Sequence, residues 1–234
     1  MRKFILGLFA VLVVIHIASI NSESYIRDRA LQLRSEHELC SAEQVRAPSG
    51  VDYILTAGHC RDIANNGYMT VIDSHGNKVQ RRVIAEDKKS DLLLLEGMPG
   101  LKGLSIANSI KDTQHVRTFT SGGARPTHES EGELMGKEHI NMRLDVITND
   151  DDKAKCESFG PKNQVLQADT LFGPVNYCAL SVDEVSTTAK IIPGSSGGMI
   201  VNDSGDLVGV ASATDENFGF IVQLSDIHAF LAGY

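Results

Sequence analysis

The chain has no excess of positive charge: 22 lysines and arginines stand against 30 aspartates and glutamates, giving a formal charge of −8 over 234 residues. Non-specific nucleic-acid binding needs a basic face, and nothing here supplies one. Charges of both signs are interspersed, so the acidity reads as solubility. Cysteine is scarce, and its four copies include no C-x-x-C pair, which counts against a tetrahedral zinc site. No metal or organic cofactor is implied. No internal repeat is evident either. Apart from one apolar run at the N-terminus, hydrophobic residues come in short stretches.

That run spans residues 4–20, follows Arg2 and Lys3, and is interrupted by Gly7, His16 and Ser19. About 17 apolar residues are long for a signal-peptide core and short of the roughly 20 that a spanning helix needs. Residues 1–22 are therefore expected to be a signal peptide or an N-terminal membrane anchor, with Ser19, Ser22 and Ser24 offering cleavage sites. In either case the remainder is expected to be exported, secreted or periplasmic, with membrane contact only through that segment. Four cysteines suit an oxidising compartment. Of the three possible pairings, Cys40–Cys60 with Cys156–Cys178 keeps each loop near 20 residues and within one half of the chain. Closing such a loop stabilises by about 3 kcal/mol on the chain-entropy argument.

The remaining 210 or so residues can bury a real core as one large unit or two small packed ones. Residues 25–33 read as a short amphipathic helix or a spacer. From Val45 onward short strands alternate with turn residues. Residues 68–72 and 78–85 flank Asp73-Ser74-His75-Gly76-Asn77, a hairpin turn by composition. Leu92-Leu93-Leu94-Leu95 is too short for a helix and reads as a buried strand. Further strands are expected near residues 116–119, 140–147, 177–182, 199–201, 206–210 and 218–222. Residues 129–137 and 149–155 read as exposed polar loops. Ser225 is expected to N-cap a closing helix that turns Ile227, Phe230 and Leu231 to one face. This pattern indicates an all-β architecture of barrels or sandwiches.

Three segments carry chemistry. Ile54-Leu55-Thr56-Ala57-Gly58-His59-Cys60 sets an imidazole at the end of an apolar strand. Ser90-Asp91 sets a carboxylate at the mouth of the four-leucine strand, where it is costly unless paired. Pro193-Gly194-Ser195-Ser196-Gly197-Gly198 offers a hydroxyl on a tight loop whose N–H groups at Gly194 and Ser196 would hold an oxyanion. A hydroxyl, an imidazole and a buried carboxylate are what acyl transfer at neutral pH requires. Asp87 competes with Asp91 but lacks the apolar continuation. His75, His115, His128, His139 and His228 have no comparable context. The loop also fits the nucleophile elbow of α/β hydrolases, with Asp206 or Asp215 and then His228 in order. Only 38 residues follow Ser196, and they read as a hairpin, a strand and a helix, which leaves no room for the βαβ units an esterase of that class needs.

In the order His, Asp, Ser, the motifs TAGHC, DLLLL and GSSGG resemble those of the trypsin-like serine proteases of the chymotrypsin fold. The resemblance implies two antiparallel six-stranded β-barrels with a short C-terminal helix and a cleft between the barrels. It implies a domain over residues 23–234, with a first barrel at about 40–115, a second at about 116–222 and the helix at about 225–233. On its motifs it implies His59 as general base, Asp91 as its orienter, Ser196 as nucleophile and Gly194 with Ser196 as oxyanion hole. Cys40–Cys60 is similar to the family's disulfide beside the catalytic histidine. The expected partners are protein or peptide substrates. By position Lys190, Ala211, Ser212 and Ala213 fall around the primary specificity pocket. Pointing inward, Lys190 would favour acidic side chains; the outward orientation is expected, since a buried unpaired ammonium is costly, and it would leave small walls suited to a modest apolar residue.

Two departures qualify the resemblance. No Ile-Val-Gly-Gly sequence follows an Arg or Lys ahead of His59, and Ser195 stands where trypsin has the aspartate that receives a freed N-terminus. Activation by that route is therefore not expected. PGSSGG, GDLVGVAS and FGFIVQLSDI look closer to the bacterial high-temperature-requirement branch. That branch carries a PDZ domain after the protease, for which the 234 residues leave no room. A protease-like binding module without activity is the alternative, although such proteins typically lose the His or the Ser and both are present here.

Overall fold

The computed structural model describes residues 23–36, 38–121, 128–158, 163–170, 173–215 and 217–234. The expected signal peptide or anchor lies outside them. Among the described residues no helix is long and apolar enough to cross a membrane.

Among the described residues thirteen strands divide into two sheets. In the first half, β1 (Ala30–Arg34), β2 (Leu39–Arg46), β3 (Asp52–Ala57), β4 (Tyr68–Ile72), β5 (Lys78–Asp87) and β6 (Leu92–Glu96) close into an antiparallel barrel in the order β1-β2-β3-β6-β5-β4. The β1–β4 pairing, Gln32 opposite Ile72 and Leu33 opposite Val71, completes the ring. The four leucines of β6 are all fully buried because both faces of that strand are covered. Leu93 and Leu95 pack inside the barrel with Leu33, Ile54 and Met69. Leu92 and Leu94 turn outward into a second core with Val45, Leu55, Phe119, Met199 and Val210. A strand buried on both sides reads as an unbroken apolar run instead of an alternation. That second core joins the halves.

The second half contains β7 (His115–Thr120), β8 (His128–Val146), β9 (Asn163–Thr170), β10 (Gly173–Thr187), β11 (Met199–Val201), β12 (Leu207–Thr214) and β13 (Gly219–Val222). Their order is β13-β12-β11-β7-β8-β10-β9, and β13 pairs again with β10. Six strands thus form a ring, with β9 added along the outer edge of β10. The expected two-barrel all-β fold is found, the second barrel carrying this extra strand. Its core is built from Val116, Leu134, Val185, Ile200, Val208 and Ile221.

Several local expectations are corrected. Residues 25–33 split: 23–27 make a helical turn, and β1 begins at Ala30 as the first strand of the barrel. Ile26 and Ala30 are drawn into the joining core, which overrides the helical spacing. Residues 129–137 belong to β8, whose first part, to Glu133, pairs with β7 and whose remainder, from Leu134, pairs with β10. Pairing with distant strands makes a strand of a charged sequence with little intrinsic β-propensity. Residues 149–155 are mostly helix, α1 (Asp150–Ser158). Asn149 Oδ1 caps it by accepting the Asp152 N–H, Asp152 in turn accepts from the Thr148 N–H, and three aspartates in its first turn suit the helix dipole. Only Cys156 is buried, so no apolar face announces α1. The closing helix α2 (Leu224–Leu231) starts after Gln223, and no side chain caps it, Ser225 included. It buries Leu224, Ile227 and Leu231, with Phe230 half-covered.

Disulfides join Cys40 to Cys60 and Cys156 to Cys178, 20 and 22 residues apart. The first ties β2 to the 3-10 turn at Gly58–Ile63; the second ties α1 to β10. Each half also buries a glutamate. Glu43 on β2 is fully enclosed, with neither carboxyl oxygen hydrogen-bonded, and burial pushes its pKa well up. Glu184 on β10 is 2% exposed.

Candidate active site

His59 lies on the 3-10 turn that follows β3, and Asp91 on the tight connection before β6. The register sets Ala57 opposite Leu92, so the residues just beyond the two strand ends meet. Asp91 adopts a left-handed conformation with φ +54°, one that aspartate tolerates better than most residues. Its carbonyl accepts the Gly58 N–H at 2.8 Å. One carboxylate oxygen accepts the His59 backbone N–H at 2.7 Å, and the other lies 2.8 Å from His59 Nδ1. The Asp91 side chain is 3% exposed and that of His59 25%. The carboxylate is therefore sealed behind an imidazole that reaches solvent through its far edge. Burial lowers the His59 pKa, but the charge and hydrogen bond of Asp91 outweigh it, so the ring holds its proton above the ordinary value. A proton on Nδ1 facing a carboxylate leaves Nε2 as the basic atom.

Ser196 sits at the start of a loop shaped by two glycines. Ile192 O accepts the Ser195 N–H at 2.9 Å across Pro193-Gly194, and Gly194 has φ +89°. Proline second and left-handed glycine third define a type II turn. Gly197, φ +80°, is pressed against the first barrel: a Cβ there would lie 2.3 Å from Ser41 O and 1.9 Å from Thr56 Oγ1. Ser41 also grips the loop by hydrogen bonds. Its N–H donates to Ser196 O at 2.7 Å and its hydroxyl to Gly194 O at 2.9 Å, while that hydroxyl accepts the Ser121 N–H. Ser195, fully buried, shares a hydrogen bond with Thr120 Oγ1 at 2.9 Å and accepts the Ile192 N–H. A neutral hydroxyl pair thus occupies the interior behind the loop. Among the described residues the N–H groups of Gly194 and Ser196 have no acceptor, so both are free to donate outward.

His59, Asp91, Ser196, Ser212 and Ala213 line one cleft between the halves. The Ser196 hydroxyl donates to Ser212 O at 3.4 Å; it makes no hydrogen bond to His59. The structure thus joins His59 to Asp91 and sets Ser196 in the same cleft. Of the residues expected around the specificity pocket, Ser212 and Ala213 line the cleft, and Lys190 and Ala211 do not. Lys190 is exposed and outside it, because its backbone N–H is tied to Ser130 Oγ on β8. Ala211 is fully buried in the core of the second half. His228, the elbow alternative's histidine, lies on α2 with Nε2 bonded to Ala107 O, outside the cleft. Three contributors were not found from sequence: Ser41, Glu184 and the α1–β8 wall represented by Ile140, Ile147 and Lys155. Ser41, adjacent to Cys40, was the most accessible of these to sequence reasoning. The described residues contain no cluster of side chains suited to a metal ion.

Comparison with known proteins agrees with the geometry. The trypsin-like peptidase domain family matches residues 44–210. The chain is 26% identical over 220 residues to a serine protease Do-like HtrA of Lactococcus lactis subsp. cremoris, and 25% to its counterpart in subsp. lactis, covering 88% of this chain and 46% of each relative. It thus spans about half the length of the curated relatives it matches. Among solved structures, Rv3671c protease from M. tuberculosis in its inactive form gives a TM-score of 0.61 at 18% identity, covering 91% of both chains. A serine endoprotease from Yersinia pestis gives 0.60 at 16% identity, covering 91% of this chain and 64% of that one. The structural likenesses concern the fold, and the sequence match, over more than two thirds of the chain, concerns descent: this chain belongs to the trypsin-like peptidase domain family.

Proposed function

We propose that the protein is a serine endopeptidase that hydrolyses protein or peptide substrates through an acyl-enzyme. The observation that carries this reading is the sealed Asp91–His59 pair opening onto the cleft that holds Ser196. In the first step the Ser196 hydroxyl turns from Ser212 O toward His59 Nε2 and attacks the scissile carbonyl, and His59 takes its proton. The resulting oxyanion accepts hydrogen bonds from the N–H groups of Gly194 and Ser196, charge-stabilising donors in a partly desolvated cleft. His59 then protonates the leaving amine. A water molecule, deprotonated by His59, releases the acyl group and restores Ser196. Asp91 fixes the tautomer and stabilises the imidazolium throughout.

For the primary side chain of the substrate, small walls at Ser212 and Ala213 favour a modest apolar residue. The two disulfides suit an extracellular or periplasmic location, and we infer that residues 1–22 direct export. A binding role without turnover draws on one observation, the Ser196 hydroxyl facing Ser212 O instead of His59. A fluorophosphonate separates the two: the endopeptidase is labelled at Ser196 and loses labelling in His59→Ala. Folded wild-type protein that resists the reagent would sustain the binding role. Peptide hydrolysis should also rise with pH as His59 gives up its proton, with a midpoint above the ordinary imidazole value of about 6.5. A flat profile from about pH 5 to 8 would exclude a histidine base.

A further inference from the structure

Behind the cleft wall a second buried carboxyl faces the same histidine. The wall is β12, which carries a β-bulge: Ala211 pairs with Ile221 and Ala213 with Phe220, leaving Ser212 as the extra, unpaired residue. A bulge re-aims the residue it contains. Here it directs the Ser212 hydroxyl inward, where it donates to both carboxyl oxygens of Glu184. The Ser212 carbonyl meanwhile accepts from the Ser196 hydroxyl. Glu184 is held in place from β10, where it lies opposite Val222 on β13 and Glu138 on β8. Both Ser212 and Glu184 are nearly inaccessible, at 3% and 2% exposure. A side chain with this burial and this specific tether is not a surface carboxylate that happens to lie nearby.

We infer that Glu184 is a positioning residue of the active site, fixing Ser212 against Ser196 and supplying a second negative charge to His59. The inference rests on the endopeptidase reading above. Its charged surroundings are well defined. His59 and Asp91 face it from the first half, Asp226 from the start of α2, and Glu138 from β8, the last bonded to the Ser186 hydroxyl. Burial raises the Glu184 pKa, the Ser212 bond opposes this, and Asp91 adds to it, leaving the group at about 7. Reciprocally, the Glu184 charge raises the His59 pKa. The two therefore titrate as a coupled pair. As the pH rises and His59 becomes a free base, Glu184 acquires its charge. That charge then favours the imidazolium formed when His59 takes the Ser196 proton.

The test uses the full chain and Glu184→Gln, which keeps an acceptor for Ser212 and removes the ionisable group. Histidine ring resonances, followed by NMR against pH, should show the His59 midpoint moving down in the variant. The acidic limb of kcat/KM should move in the same direction, and kcat at pH 8 should fall about tenfold, the factor that one pKa unit of lost charge stabilisation represents. A merely structural role would lower the melting temperature or kcat without moving either midpoint. Unmoved midpoints in the folded variant overturn the inference. Should the variant not fold, the wild-type carboxyl carbons answer the same question: one glutamate must titrate near neutral pH, and its absence overturns the inference. Ser212→Ala provides a third reading, raising the Glu184 midpoint by severing its bond; an unchanged midpoint counts against the tether. The NMR titration needs no turnover, so failure of the endopeptidase reading, seen as inert wild-type protein, is distinguishable from failure of this one.

Discussion

The two halves have matching inventories and different constructions. Each has a six-stranded ring, one disulfide closing about 20 residues, and one buried glutamate. In the first half these parts are independent: the barrel is closed, Cys40–Cys60 lies beside His59, and Glu43 has no hydrogen-bond partner. In the second they are connected. Strands β8 and β10 run 19 and 15 residues, beyond what the ring needs, and the overhang carries β9, α1 and the Cys156–Cys178 link. Glu184 is tied through Ser212 to the Ser196 hydroxyl. In the proposed mechanism the first half is a rigid mount for His59 as base; the second mounts Ser196 as nucleophile with additional control parts attached.

The largest test of this contrast removes one chemical group from each half. Ser196→Ala should cut peptide hydrolysis by about 10⁴-fold or more with folding intact, and Asp91→Asn, which tolerates the same left-handed backbone, by a comparable factor of about 10⁴. Turnover surviving at even a tenth of the wild-type rate in either variant would remove that half from the mechanism. The disulfides give the next contrast. Replacing both cysteines of either pair by serine should cost about 3 kcal/mol by urea unfolding, since the loops are of similar length. Loss of Cys40–Cys60 should also lower kcat, because Cys60 follows His59. Loss of Cys156–Cys178 should act on KM, because α1 and β10 wall the cleft. Identical kinetic effects from the two pairs would erase the distinction.

The buried glutamates provide the smallest effect. In the unfolded chain a glutamate ionises at about pH 4.3; in the folded chain burial raises both, Glu184 to about 7 and Glu43 well above its ordinary value. The stability that protonation contributes is thus fully present below about pH 4.3 and lost as the pH rises through the folded values. Glu43→Met, in an apolar setting with no bond to break, should raise unfolding free energy at pH 8 by about 2 kcal/mol and leave hydrolysis unchanged. Equal stability of wild type and Glu43→Met at pH 8 would mean that Glu43 is not the burden its enclosure implies.

The sequence was most legible where local chemistry and fold agree. The four-leucine strand, the hairpins at 68–85 and 199–210, and the loop around Ser196 each have a composition that admits few conformations. His59 and Asp91 were identifiable because each adjoins a strand whose burial is obvious. What was missed is held together by distant partners. β8 is a strand because β7 pairs with its first part and β10 with the remainder, and nothing in Glu129-Ser130-Glu131 says so. α1 relies on a cap and a disulfide instead of an apolar face. Glu184 looked like one more interspersed charge, since only the bulge at Ser212, invisible in sequence, turns it into a member of the site. Lys190 is exposed, as the cost of burying an unpaired ammonium led one to expect, although its position relative to Ser196 says nothing of the backbone tie to Ser130.

One contact has a mechanical meaning. Ser41 belongs to the barrel that carries His59, yet its amide and hydroxyl hold the carbonyls on either side of Ser195, those of Ser196 and Gly194. Any slippage between the lobes would pull the loop around Ser196 out of shape before the histidine had moved appreciably. Alignment of the lobes and readiness of the hydroxyl are therefore one degree of freedom, and whatever steadies the seam between them steadies the chemistry.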